Sequence, residues 1–211
     1  MSIAHAARPE YLWFNNVLDE QTCEKIRKLA QGKWVPSTLF LDSITDEEHA
    51  PKLTTSHVNE EVRISDVCWI TEQWIYELIW NQMEESNKLS GWKLDISAVE
   101  EVQLTRYKKG GHYKWHRDGN QDSWSAYDRP GDSHLDGNVR KISMSLILND
   151  DFEGGALEFA SYYDGECNVI SIDAKAGDMI FFTSAMEHRV APITKGVRYS
   201  LVSWFVGPPI R

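Results

Sequence analysis

Apolar residues follow two different periods along this chain, and the change falls near Val99. In the first half they recur every three to four positions. Cys23, Ile26, Leu29 and Ala30 fall on one face of a helix. Asp19 stands as its N-cap, Leu18 is placed to staple onto Cys23 four residues after the cap, and Gly32 ends it. A second helix starts near Thr71, with Ile70 and Ile75 as its staple. Its buried stripe is Ile75, Leu78, Ile79 and Met83, with Trp74 at the edge, and its Trp and Met residues read as core. Tyr11-Leu12-Trp13-Phe14 carries a short strand signal and Glu61 to Ser65 is a candidate strand. Pro36 to Leu53 is loop-rich, with Asp42, Asp46, Glu47 and Glu48. Both helices are expected to cover the outer face of one sheet.

From Val99 onward the pattern becomes short strands separated by Gly and Asp turns. Ile142, Met144, Leu146 and Leu148 alternate with Ser143, Ser145 and Ile147, the pattern of a half-buried strand. No internal repeat or low-complexity tract interrupts the series. The chain is therefore expected to be α+β, mainly β, and one domain over 1–211. Residues 1–96 would form a mixed support layer and 97–207 a β core. Residues 120–138 stand apart: polar, with Gly131 and Gly137, yet carrying Trp124, Tyr127 and Arg129-Pro130-Gly131. Such a segment is either a lid whose aromatics close over a ligand or a surface excursion.

The chemistry lies in the β half. His116 and Asp118 stand two apart in Tyr113-Lys114-Trp115-His116-Arg117-Asp118, and His188 follows in Ala185-Met186-Glu187-His188-Arg189-Val190. Side chains two apart on a strand share a face, so His116 and Asp118 would point together and Arg117 away. An H-x-D pair alone often arises by chance. Joined to a distant His, it has the form of the two-His, one-carboxylate facial triad of non-heme iron(II) sites, which leaves one side of the ion open. Two ligands from one strand and a third from a distant strand require a fold that brings strands together, as a small β-barrel or jelly roll does. His112 competes as a ligand if its strand is regular, although Gly110-Gly111 favours a turn there. Arg198, ten positions after His188, opens the apolar run Arg198 to Val206 and shares a face with Ser200, Val202 and Trp204. A fixed cation beside such a metal suits an acidic co-substrate.

Composition narrows the setting. A hydrophobic fraction of 42% with nine Trp allows a substantial core. No apolar run is long enough for a transmembrane helix, and Met1 to Arg8 lacks a signal-peptide core, so no membrane role is expected. Three unpatterned cysteines, Cys23, Cys68 and Cys167, suit a reducing, cytoplasmic compartment. The formal net charge of −10 argues against nucleic acid as a general partner, since that affinity comes from cations on phosphate. Lys108, Lys109, Lys114, Arg117 and Arg129 could still form a local basic patch at the mouth of the site, or simply a solvated rim.

With these residues in hand, the sequence resembles the iron(II)/2-oxoglutarate-dependent dioxygenases, in particular the prolyl-4-hydroxylase-like superfamily. The likeness runs roughly from Val99 to Val206. It rests on Gln103 to Gly110 leading to His116-Arg117-Asp118, Arg140 to Asn149 followed by Glu153-Gly154-Gly155-Ala156-Leu157-Glu158-Phe159, Ala176 to Phe182, and His188 to Ser200. It implies a double-stranded β-helix (jelly-roll) core with supporting N-terminal helices. It implies Fe(II) on His116, Asp118 and His188, and 2-oxoglutarate whose distal carboxylate pairs with Arg198 and Ser200 in a pocket lined by Tyr107. Oxygen would be the co-substrate, ascorbate a possible reductant, and succinate and carbon dioxide the co-products. The implied reaction is hydroxylation of an unactivated C–H, on a prolyl or similar residue of a peptide or protein, or alternatively on a small molecule or nucleobase. A non-enzymatic jelly-roll binding module is the third reading, against which the retained ligands and Arg198 speak. Trp124, Tyr127 and Arg117 would lie on the substrate side. One departure is visible: some members place a Tyr on the strand before the Gly-Gly turn, where this sequence has Leu146-Ile147-Leu148.

Overall fold

The structure is a computed structural model that describes residues 9–40, 56–119, 124–132, 134–163 and 166–210. In sequence order the elements are β1 (Tyr11–Phe14), α1 (Glu20–Leu29), β2 (Val35–Pro36), β3 (Leu39–Phe40), β4 (Ser56–His57), β5 (Arg63–Ile64), β6 (Asp66–Ile70), α2 (Gln73–Leu89), β7 (Ala98–Val99), β8 (Val102–Tyr107) and β9 (His112–His116). There follow β10 (Val139–Ile147), β11 (Phe152–Gly154), β12 (Leu157–Tyr163), β13 (Glu166–Ile172), β14 (Met179–Thr183), β15 (His188–Val190), β16 (Ile193–Gly196) and β17 (Arg198–Gly207). Eight strands form a major antiparallel sheet in the order β1-β14-β10-β17-β8-β6-β2, with β7 beside β17, and a minor sheet runs β13-β12-β15-β9-β5. The core is thus a double-stranded β-helix, as the family likeness implied.

Both helices cover the outer face of the major sheet. Cys23 and Ile26 of α1 and Ile75, Ile79 and Met83 of α2 share one buried cluster with Met144, Leu146, Phe181, Leu201 and Phe205. Asp19 caps α1, its carboxylate accepting the Thr22 N–H at 2.8 Å. The second helix begins two residues later than the staple at Ile70 suggests. Ile70 is still paired with Val102 in the sheet, and Tyr76 bridges the two strands, donating to the Ile70 carbonyl at 3.0 Å and accepting from Val102 N–H at 3.2 Å. Glu72 takes the cap position with no capping hydrogen bond from its own carboxylate, and Leu78 is only half-buried.

Three expectations need correction. The strand sought at Glu61 to Ser65 is only the two-residue β5, and the longer β6 follows it unanticipated. Tertiary pairing decides β6: Asp66 sits opposite Arg106, which donates to it from Nε at 3.0 Å and Nη2 at 2.7 Å. The alternating strand from Ile142 is buried on both faces, because its serines face the barrel interior rather than solvent. The loop-rich segment at 36–53 begins with β2 and β3, and its acidic residues lie outside the described residues.

Between the two sheets a second cluster fills one end of the barrel: Ile147, Leu157, Phe159, Ile172, Ile180, Phe182 and Met186. The inner face of the major sheet carries the polar series needed for chemistry. Cross-strand register places Ser143 opposite Trp204, Ser145 opposite Val202, Ile147 opposite Ser200 and Arg198 opposite Tyr107.

Candidate metal centre and the cavity beside it

His116 is the last residue of β9, and β9 pairs with β15 so that His116 and His188 lie directly opposite each other. Asp118 does not continue the strand, as the H-x-D spacing suggested. It follows in an irregular bend whose position is set by its own N–H, donated to the Ser184 carbonyl at 2.9 Å. The result is still convergence. One donor atom from each of His116, Asp118 and His188 lies within 4.8 Å of the others. Each imidazole Nε2 stands 3.6 Å from an Asp118 oxygen: His116 from Oδ1, His188 from Oδ2.

The surrounding hydrogen bonds fix how these groups present themselves. His116 Nδ1 meets the Lys114 carbonyl at 2.8 Å and His188 Nδ1 the Met186 carbonyl at 2.9 Å. A carbonyl only accepts, so each Nδ1 donates and each Nε2 is the ring nitrogen turned toward the cluster. Ser143 Oγ donates to Asp118 Oδ2 at 2.6 Å and lies 2.9 Å from Ser184 Oγ. Burial, with His188 beside it, pushes His116 down to about 3, so its imidazole is neutral at ordinary pH. Burial works to raise Asp118, but His188, His116, Arg140 and the Ser143 hydroxyl outweigh it and hold the carboxyl below the usual range. Tyr113 stacks on His116 with ring centres 3.5 Å apart, and Phe182 meets His188 edge-on at 4.7 Å. Two imidazoles and one carboxylate, held and oriented by these hydrogen bonds, fit a non-heme iron(II) ion. His112 is outside the cluster, its Nδ1 turned to the Gly110 carbonyl at 3.1 Å.

Deeper on the inner face, Arg198 is 2% exposed. Its guanidinium makes one hydrogen bond among the described residues, from Nη1 to Ser200 Oγ at 2.9 Å, and lies 5.7 Å from the centre of the Tyr107 ring. Burial pushes this guanidinium down from its ordinary value, with Tyr107 opposing. A buried cation with no carboxylate beside it is costly, and an anionic ligand removes that cost. Gly155 lets the chain pack directly against this side chain: a Cβ there would stand 2.1 Å from Ile193 Cδ1 and 3.1 Å from Arg198 Cδ, at a φ of +66°. Ile147, from the Leu146-Ile147-Leu148 stretch, stands opposite Ser200 and offers it no hydroxyl.

A cavity of about 1190 Å³ opens from Asp118 and Gly119 across the inner face, lined among others by Arg63, Gln103, Tyr113, Tyr127, Arg140 and Trp204. Arg140 is paired with Glu100 at 2.6 and 2.5 Å and lies 4.0 Å over the Trp204 ring. Although burial works against it, Glu100 holds this guanidinium well above its ordinary value. Of the three residues expected on the substrate side, Tyr127 is half-buried in the wall and Arg117 lines the rim, 4.0 Å from Glu187. Trp124 is 65% exposed and lines no part of the cavity. Residues 120–123 and 133 of that segment lie outside the described residues. Of the basic residues expected near the mouth, Lys108 is instead paired with Asp66 at 2.9 Å. Arg63, Gln103, Tyr113, Arg140, Ser143 and Ser184 went unread in the sequence. Only Ser143 left a signal, as a hydroxyl inside an apolar strand.

A family model described as the 2OG-Fe(II) oxygenase superfamily matches residues 102–206, about half of the chain, including His116, Asp118, His188 and Arg198. A PKHD-type hydroxylase of Xylella fastidiosa (strain M12) is 36% identical over 104 residues, 48% of this chain and 42% of that protein. The chain spans about half, or less, of the length of the curated relatives it matches. Among solved structures, the viral collagen prolyl hydroxylase of Paramecium Bursaria Chlorella virus-1, in its 2OG complex, superposes with a TM-score of 0.64 at 18% identity, covering 98% of this chain and 99% of that one. A Trichoplax adhaerens prolyl hydroxylase, solved with a hypoxia inducible factor peptide fragment, gives 0.65 at 19% identity, covering 93% and 83%. Fold, donor set and sequence match agree: the chain belongs to the 2OG-Fe(II) oxygenase superfamily, with a prolyl-4-hydroxylase-like jelly roll.

Proposed function

We propose that this protein is an Fe(II)- and 2-oxoglutarate-dependent dioxygenase that hydroxylates an unactivated C–H, on a prolyl or similar residue of a peptide or protein. One juxtaposition carries the reading: a His116, Asp118, His188 donor set, its Asp118 held by Ser143 on the inner face of the major sheet, and on that same face Arg198, a buried guanidinium without a carboxylate partner among the described residues. Bound there, Fe(II) with 2-oxoglutarate and O₂ supplies the oxidation of the C–H, with succinate and carbon dioxide as co-products. His116 and His188 bind through Nε2 and Asp118 through the oxygen that Ser143 leaves free, while balancing charge on the ion. Arg198 and Ser200 fix the distal carboxylate of 2-oxoglutarate, and Tyr107 lines its pocket. Isolation from water strengthens that charge-assisted pair. Asp118 is not a general base, since its oxygens are committed to the ion and to Ser143.

The preference for a peptide has two supports. The cavity, about 1190 Å³, exceeds what a drug-sized ligand needs, roughly 300–1,000 Å³. A structural neighbour was solved with a peptide fragment. The whole chain would act as one unit, since β2, β5 and β6 from its first half complete both sheets. Free Cys23, Cys68 and Cys167 suit the reducing cytoplasm in which we place it, where ferrous iron and 2-oxoglutarate are available. The test is succinate formation across a panel of prolyl peptides and small metabolites, with Fe(II), O₂ and 2-oxoglutarate supplied. Peptide-dependent succinate supports the reading, response only to metabolites moves the substrate class, and no 2-oxoglutarate turnover under any condition removes the activity.

A further inference from the structure

Several arginines line the cavity, and at least two have acidic partners: Arg140 has Glu100 and Arg117 has Glu187. Arg63 does not. It is 8% exposed and lines the cavity with Asp118. Its Nε donates to Ser65 Oγ at 2.8 Å, its Nη2 donates to Gln103 Oε1 at 2.8 Å, and its guanidinium lies 4.8 Å from the centre of the Tyr113 ring. None of these groups carries negative charge, and among the described residues no carboxylate pairs with it. Gln103 deepens the imbalance. Its Oε1 also accepts from Thr105 Oγ1 at 3.2 Å, so its amide NH₂ points the other way and bonds to none of the described residues. Arg63 and Gln103 therefore offer donors and a net positive charge to the cavity, on the substrate side of the ring that stacks on His116.

A buried cation left with neutral partners bears a desolvation cost that an incoming anion relieves. We propose that Arg63 and Gln103 form a carboxylate subsite for the prime substrate. The bond hydroxylated then sits on a molecule that presents a carboxylate beside it, whether as a free acid, the C-terminus of a peptide or an acidic residue. A guanidinium suits that group because it donates two parallel N–H bonds. The proposal rests on the dioxygenase reading above and adds to it a charge requirement.

The test measures binding to protein loaded anaerobically with Mn(II) and saturating 2-oxoglutarate. Three matched pairs distinguish the sources of the carboxylate: N-acetyl-L-proline against N-acetyl-L-prolinamide, Ala-Ala-Pro with a free against an amidated C-terminus, and blocked Pro-Glu against blocked Pro-Gln. In at least one pair the acid should bind about tenfold or more tightly than its neutral partner, the size of one charge-assisted contact. Gln103→Glu places a carboxylate on Arg63 and should reduce that preference to about twofold or less, as should Arg63→Gln. If no acid outbinds its amide in the parent protein, or if Gln103→Glu leaves the preference intact, the subsite is wrong. Mn(II)-dependent binding of 2-oxoglutarate, measured first, separates the two readings. Its absence overturns the dioxygenase reading and the subsite with it, whereas its presence without a charge preference overturns the subsite alone.

Discussion

Ser143 holds Asp118 through a 2.6 Å hydrogen bond to Oδ2, across 25 residues of sequence and from the strand that faces the barrel interior. The bond leaves Oδ1 as the oxygen presented to an ion, and Ser184 braces the arrangement from both its hydroxyl and its carbonyl. Ser143→Ala should weaken Fe(II) or Co(II) affinity about 10- to 100-fold, the usual effect of losing a partner that orients a ligand. Ser143→Thr, which keeps the hydroxyl, should recover most of it. Metal titration followed by absorption of the Co(II) form checks this, and parental affinity in the alanine variant would discard the role.

The ligands themselves should be less forgiving. His116→Ala or His188→Ala should abolish iron binding at the site and all turnover, because the two donors that remain hold ferrous iron poorly. Anaerobic iron titration is the measurement. Unchanged affinity in both variants would sink the triad.

Arg198→Ala should raise the 2-oxoglutarate requirement by roughly 2–4 kcal/mol, the scale for truncating one member of a buried charge pair. Metal affinity should change little, since Arg198 bonds Ser200 and no ligand. A variant that needs no more 2-oxoglutarate than the parent places the co-substrate elsewhere.

Metal-free protein should lose stability as pH falls below neutrality. The folded value of His116 is depressed, to about 3 from an ordinary 6.5, so the unfolded state takes up a proton before the native state does. The stabilisation is fully present above about 6.5 and drains away as pH falls toward 3. Asp118, also depressed, adds its loss only below the ordinary carboxylate range. Urea midpoints at pH 7, 6 and 5 should fall in that order for the parent and more shallowly for His116→Gln. A flat parental series would contradict the burial argument.

The wall of the cavity should affect substrate without affecting co-substrate. Tyr127 lines the cavity beside Gly119, whereas Trp124 lies outside it, so Tyr127→Ala is the sharper probe of segment 120–138. It should lower substrate-driven succinate formation by about 2 kcal/mol or more, as loss of an aromatic anchor does. Slow substrate-free consumption of 2-oxoglutarate should survive. Equal loss in both assays would assign Tyr127 to the fold, and no loss in either would leave the segment a surface excursion.

The local signals were enough to read much of this protein from its sequence. Period fixed the two amphipathic helices and the serine-alternating strand, Asp19 announced its cap, and spacing singled out His116, Asp118, His188 and Arg198. Such features depend on neighbours three or four residues apart, or on residue types whose chemistry is scarce elsewhere. The tertiary structure decided what depends on pairing across long separations. Asp66–Ile70 became a strand because Arg106 and Val102 face it, and Ser143 turned inward because β10 is covered on both sides. Asp118 joined the histidines from a bend, because Ser184 holds its backbone. Arg63 came to face the cavity with a neutral partner because β5 pairs beside Tyr113 while Gln103 arrives on a different sheet. No window of sequence contains both members of these pairs, so their meeting is a property of the folded barrel alone.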